Sequence, residues 1–371
     1  MNPLEEGRVF ILGAGCSVDS GYPPGAGLAA EFDKFLGEIQ EVPDQKCGRI
    51  RHSLVCTLKL LRETPGVETL DQLAARIEQD LNDWKRQRGS PFADSDYLER
   101  ESIAARQILD AKIATSAMFL AGEDKARQTG LRSYKSFITQ ILGGPPWEEA
   151  REAACSVLTF NYDRLFEIAF PGCFPTFDLR NHPLYASDAL NSCFDPNFGK
   201  WSLTQPTPGR FCFLKMHGSA GWWVKVKRDG GRGERCYCPA SPLQGLSVDG
   251  IEKSIPKECG GPFGCEPLLA FPHERQESQE YFSYKGESSG CDWAPYIDAV
   301  WQHAASVVAN ATEVRVIGYS FNPIDSRHMV NHLLSKATCE KIVIQNRVDV
   351  RRNLESYRQF KGRLEFDPTP F

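Results

Sequence analysis

Five short apolar runs in this chain each end in a small, polar or glycine-bearing cluster. No other feature constrains the fold as much. Val9-Phe10-Ile11-Leu12 runs into Gly13-Ala14-Gly15, and Ser156-Val157-Leu158-Thr159-Phe160 into Asn161-Tyr162-Asp163. Phe211–Met216 runs into His217-Gly218-Ser219, Val314-Arg315-Val316-Ile317 into Gly318-Tyr319-Ser320, and Lys341–Gln345 into Asn346. Continuous apolar runs bounded by turn residues read as buried strands. Helical spacing lies between them, as in Leu28, Phe32, Phe35, Leu36 and Ile39, in Trp293–Ala311, and in Asp325–Lys336. Strands alternating with helices predict an α/β fold, a Rossmann-like doubly wound parallel sheet. Ligands of such folds sit beyond the carboxyl ends of the strands, so the five clusters are expected along one functional edge.

The 371 residues suffice for one large α/β domain, and a single domain over 1–371 is expected. Within it, residues 44–142 are dense in charge and apolar at three- and four-residue spacing, which predicts an inserted helical module. Thr69 is placed to cap a helix carrying Leu70, Leu73, Ile77 and Leu81 on one face. Trp222–Lys227 and the residues after Arg228-Asp229-Gly230-Gly231 suggest a hairpin. Residues 236–292 are rich in Cys, Gly and Pro and read as a second, irregular insertion.

A net charge of −5 gives no general electrostatic case for nucleic-acid binding. The basic runs Lys85-Arg86-Gln87-Arg88 and Arg347–Arg352 read as solvated helix faces. No run reaches the length of a membrane span, and the opening residues lack the apolar core of a leader peptide, so a cytoplasmic protein is expected. Thirteen cysteines are then free thiols or metal ligands rather than disulfides.

Each strand-end cluster admits a chemical and a structural reading. Gly13 and Gly15 allow close backbone approach to a phosphate, or simply a tight turn. Ser17 is a phosphate donor or a cap. Asn161 offers an acceptor and two donors for a water or a sugar hydroxyl, while Asn161 and Asp163 also suit an Asx-turn opening the next helix. His217 is a candidate general base near neutral pH, or a structural histidine.

Taken in order, "FILGAGCSVDSGYP", "VLTFNYDRLFE", "FLKMHGSAGWW" and "VIGYSFNPID" resemble the four successive motifs of the sirtuin-like family, in its bacterial branch. The resemblance runs from Val9 to about Val348. It implies NAD as ligand, with Gly13, Ala14, Gly15 and Ser17 at the pyrophosphate. It implies Asn161 at the nicotinamide ribose or the attacking water, Asp163 near the carboxamide and His217 as base. Gly318 and Ser320 would meet phosphate or the adenine ribose, and Asn346 the adenosine. Deacylating members carry Asp-Phe-Arg where this chain has Pro24-Gly25-Ala26, so the arginine is missing. The branch is mostly associated with NAD hydrolysis in antiphage defence, so the resemblance implies an NAD+ glycohydrolase that depletes NAD when triggered. A protein deacylase and a non-catalytic NAD or ADP-ribose binding module are the competing readings.

The resemblance also implies control in trans, through a homo-oligomer or a partner such as a hexameric ATPase translocase or an argonaute-like protein. Deacylating relatives place a four-cysteine zinc module after the His-Gly motif. Cys236, Cys238, Cys259 and Cys265, with Cys291 in reserve, are the candidates here. Their spacing departs from paired Cys-x-x-Cys, and free thiols in a glycine-rich loop are the alternative.

Overall fold

The computed structural model of the chain describes residues 7–23, 27–88, 95–129, 131–144, 146–175, 210–226, 235–239, 250–252, 265–271, 293–321, 323–354, 360 and 362–371. In chain order the strands are β1 (Arg8–Leu12), β2 (Cys155–Thr159), β3 (Cys212–Lys215), β4 (Gly218–Val226), β5 (Arg235–Pro239), β6 (Cys265–Leu269), β7 (Glu313–Ile317), β8 (Ile342–Gln345) and β9 (Leu364–Asp367). The helices are α1 (Leu28–Glu38), α2 (Asp44–Glu63), α3 (Leu70–Arg88), α4 (Ser95–Gln128), α5 (Arg132–Leu142), α6 (Trp147–Ala150), α7 (Leu165–Cys173), α8 (Trp293–Ala309) and α9 (Pro323–His332).

Six strands form one sheet in the order β3-β2-β1-β7-β8-β9, with every pair parallel. Counted along the chain this is 3-2-1-4-5-6, the doubly wound Rossmann order, and the order reverses between β1 and β7. The α/β expectation holds. β2 and β3 are buried along their whole length and β1 at all but its first residue, which is why they read as unbroken apolar runs. β9 is an edge strand beyond the expected last buried strand. Its Leu364-Glu365-Phe366-Asp367 alternates and is only half-buried.

The chain divides into two compact units. The first gathers 1–24, 122–218 and 295–371 and contains the parallel sheet; the second gathers 25–121 and 219–294. The second unit thus draws on both segments expected as insertions, whereas α5, within the expected 44–142 module, lies in the first. α3 opens with a capping box. Thr69 Oγ1 accepts from Gln72 N–H (3.2 Å), and Gln72 Oε1 accepts from Thr69 N–H (3.1 Å). β4 and β5 pair antiparallel as the predicted hairpin, and β6 joins them in a three-stranded sheet. So 236–292, expected as irregular, contributes most of β5 and all of β6. Gly/Pro flanks hid the five residues of β6, whereas β5 is the second strand of the expected hairpin. Among the described residues no helix is long and apolar enough to cross a membrane.

Glycines decide the crossing at the reversal point. A Cβ on Gly13 would lie 2.7 Å from Gly318 O, one on Gly15 2.7 Å from the same atom, and one on Gly318 2.6 Å from Cys16 N. Gly318 also sits at φ +63°. Gly318→Ala is expected to cost at least about 2 kcal/mol, through overpacking against backbone that has no room to move. Gly21 is the internal control. Its φ is +88° with nothing within 4 Å of an added Cβ. Gly21→Ala should therefore cost only the left-handed strain, about 1 kcal/mol. Denaturant unfolding of the two variants measures the difference.

Candidate active site

Hydrogen bonding continues one residue past the strands. Met216 N–H donates to Thr159 O (2.9 Å), Phe160 to Leu12 O (2.9 Å), Gly13 to Ile317 O (2.9 Å), Gly318 to Gln345 O (3.0 Å) and Asn346 to Asp367 O (3.0 Å). Met216, Phe160, Gly13, Gly318 and Asn346 therefore stand in one row at the carboxyl edge. Asn161 and His217 come one residue later, on the neighbouring strands β2 and β3.

A buried polar cluster fills the first unit behind that row. The turn after β1 is a 3-10 helix, Ala14–Ser20, which carries Ser17 inward to 2% exposure. Ser17 Oγ donates to Asp163 Oδ2 at 2.6 Å and lies 2.8 Å from the hydroxyl of Tyr134 on α5. Asn161 Nδ2 donates to Ser17 Oγ (3.1 Å) and to the Tyr134 hydroxyl (3.3 Å). One proton arrangement satisfies all four contacts: Ser17 gives its hydrogen to the carboxylate, Tyr134 gives its own to Ser17, and the amide supplies the rest. Both amide hydrogens are then engaged. Asn161 Oδ1 is buried and, among the described residues, accepts from no group. A buried acceptor without a donor costs about 1–3 kcal/mol unless something else reaches it.

Asp163 closes the cluster. Its Oδ1 accepts from Leu165 N–H at 3.0 Å, so it also opens α7 as the Asx-turn reading expects. Burial holds its carboxyl above the usual range, opposed by Lys215 and by the Ser17 hydrogen bond. Lys215, wholly buried, bonds the Asp163 carbonyl and lies 3.1 Å from Glu167 Oε1. Burial raises Glu167 as well, again against the pull of Lys215. Burial likewise pushes the Tyr134 phenol well up, so it stays a neutral donor. Arg164 grips Glu123 with two contacts of 2.6 Å, the side chains 3% and 1% exposed.

His217 is buried in an aromatic surround: Phe160 edge-on at 5.0 Å, Tyr162 at 6.0 Å and Trp301 at 6.2 Å. Trp301 Nε1 donates to Met216 O (3.0 Å), which fixes that wall beside the row. Phe160 also packs edge-on against Tyr319 (5.2 Å), joining the loops after β2 and β7. The loop after β7 holds a buried non-glycine residue in the left-handed region, Phe321 at φ +52°. Such strain is a mark of functional loops.

The remaining expected residues lie on the same edge in different settings. Gly15 N–H donates to Gly318 O (2.8 Å), so this donor and that of Gly13 are engaged by the neighbouring strand end. Ala14 and Gly15 are exposed, as is Ser320, whose carbonyl accepts from Asn353 Nδ2. Asn346 Nδ2 donates to Tyr319 O at 3.1 Å, tying β8 to the β7 loop. The zinc candidates Cys236, Cys238, Cys259 and Cys265, and Cys291, have side chains outside the described residues.

Tyr134 was not legible as a site residue, because in the sequence it is one more apolar position of an amphipathic helix. Tyr134→Phe is expected to cost about 1–2 kcal/mol of stability and to free the Asn161 amide to rotate. Thermal melts and ligand-binding titrations of that variant check both effects.

No family model and no curated protein matches the chain. Solved structures similar to it include a Sir2 homolog–NAD complex, 12% identical, covering 99% of this chain and 86% of that one, with a TM-score of 0.36. Sir2Tm bound to a propionylated peptide is similar at 13% identity over 98% and 87% of the two chains, TM-score 0.34. Sir2 with the inhibitor EX-527, 2′-O-acetyl-ADP-ribose and a deacetylated p53 peptide is similar at 11% over 98% and 88%, TM-score 0.33. The strand order of the parallel sheet gives the doubly wound α/β fold independently of these likenesses.

Proposed function

We propose that the chain is an NAD+ glycohydrolase that cleaves the nicotinamide–ribose bond to give nicotinamide and ADP-ribose. The observation that carries this reading is Asn161. Its amide nitrogen is pinned by Ser17 and Tyr134, and its buried oxygen is left to accept from a hydroxyl or a water. The order of the four sirtuin-like motifs, and their gathering at the carboxyl edge of a doubly wound sheet, support a dinucleotide as the ligand. In the reaction the C1′–N1 bond breaks with its electron pair going to the nicotinamide nitrogen, which neutralises the pyridinium. Water forms the new bond to C1′ and gives its proton to His217. This asks the protein for orientation and a base, and neither a metal nor a covalent nucleophile.

Ser17 and Asp163 act in this account by holding Asn161 in place. Ala14, Gly15, Gly318, Ser320 and Asn346 face the phosphates and the adenosine. A defence role, a cytoplasmic setting, and control by a homo-oligomer, a hexameric ATPase translocase or an argonaute-like partner belong to the same proposal. Pro24-Gly25-Ala26 in place of an arginine-bearing segment favours hydrolysis over deacylation. The test is incubation of purified protein with NAD, with and without an acetylated peptide. Peptide-independent release of nicotinamide is expected; turnover that requires the peptide would support the deacylase instead. NAD binding without turnover under every condition would leave a binding module.

A further inference from the structure

We infer that α2 and α4 carry a zinc site made by His52, Cys56 and Asp110, separate from the cysteines considered above. His52 and Cys56 are four residues apart on α2 and so share a face. Asp110 comes from α4. One ligand atom from each, an imidazole nitrogen, a thiol sulfur and a carboxylate oxygen, lies within 4.8 Å of the other two. His52 Nε2 and Cys56 Sγ are 3.5 Å apart. Zn–S and Zn–N bonds of about 2.3 and 2.0–2.1 Å at a tetrahedral angle require an S···N edge of about 3.5 Å, so the pair already has the spacing of two zinc ligands. Mixed nitrogen, sulfur and oxygen donors suit zinc, with water in the fourth position.

The third ligand supplies an independent observation. Asp110 is 8% exposed, and among the described residues its hydrogen-bond partner is the Ser53 hydroxyl at 2.7 Å, with no cation paired to it. A buried carboxylate without a cation is costly, and a divalent ion would remove that cost. Ser53 is itself fully buried and orients Asp110 as an outer-shell donor orients a metal-binding carboxylate. Binding Zn2+ would displace the Cys56 thiol proton to solvent, and a thiolate together with the carboxylate would balance the charge of the ion. Bound zinc would staple α2 to α4 within the second unit.

The test uses chelator-treated full-length protein titrated with Zn2+, and with Co2+ as a spectroscopic probe. One equivalent of Zn2+ should bind and raise the melting temperature in a concentration-dependent way. Co2+ should give a thiolate charge-transfer band that disappears in Cys56→Ser. His52→Gln and Cys56→Ser, at partly exposed positions, should abolish this binding while leaving the metal-free melting temperature unchanged. Ser53→Ala should weaken it about 10–100-fold. Failure to bind Zn2+ would overturn the proposal. So would an unchanged stoichiometry in Cys56→Ser, or a loss that follows Cys236→Ser instead. None of these readouts involves NAD, so the result stands or falls apart from the proposed hydrolysis.

Discussion

Asn161→Ala is expected to lower the rate of NAD cleavage about 100-fold or more, which corresponds to a barrier higher by about 2.7 kcal/mol. The substitution removes a buried acceptor, Asn161 Oδ1, and the amide that Ser17 and Tyr134 hold. Little stability should be lost, because the parent already leaves Asn161 Oδ1 unpaired. The cavity and the two lost donations cost roughly what relief of that orphan returns. His217→Ala should lower cleavage about 10²–10⁴-fold, the range of a general base. The two losses should not multiply in the double variant, because the proposed cleavage uses both groups in one step. Initial rates at saturating NAD, beside melting curves of each variant, separate lost chemistry from lost fold.

The largest effect on stability is expected at Glu123. Its carboxylate meets the Arg164 guanidinium through two 2.6 Å contacts with both side chains buried. Glu123→Ala leaves a guanidinium that cannot give up its proton in a dry site, at a cost of about 3–5 kcal/mol. Removing both charges together, as Glu123→Leu with Arg164→Met, should cost far less, since a packed apolar pair can replace a buried ion pair at little or no loss. Arg164 directly follows Asp163, so the single variant should also loosen the turn that places Asp163 against Ser17. Urea unfolding of the two variants checks the contrast. Similar losses in both would mean that packing, rather than loss of the Glu123 carboxylate from a buried guanidinium, sets the cost.

The parallel sheet was legible in the sequence because its central strands are buried on both faces and so read as unbroken apolar runs. The polar edge was legible for the same reason, since each run stops at a glycine, asparagine or histidine. β9 was not, because an edge strand that alternates Leu364, Glu365, Phe366 and Asp367 has no such signature. β6 was missed within Cys-, Gly- and Pro-rich surroundings, where local composition outweighs a five-residue pattern.

At the site, Ser17, Asn161 and Asp163 could be named from their motifs, and the structure joins them by direct hydrogen bonds. The members that complete the cluster could not. Tyr134 comes from a helix 117 positions from Ser17, and Lys215 reaches the Asp163 carbonyl across 52. Such contacts are properties of the packing and leave no periodicity behind. The glycines changed meaning as well. Gly13, Gly15 and Gly318 read as openings for a phosphate, yet all three are already required where two strand-end loops cross.

The most direct test of the account is product analysis of NAD incubated with the parent chain and with Asn161→Ala, together with NAD-binding titrations of both. The account predicts equal amounts of nicotinamide and ADP-ribose from the parent without any peptide, and almost none from a folded variant that still binds NAD. Equal turnover by the two proteins would contradict it.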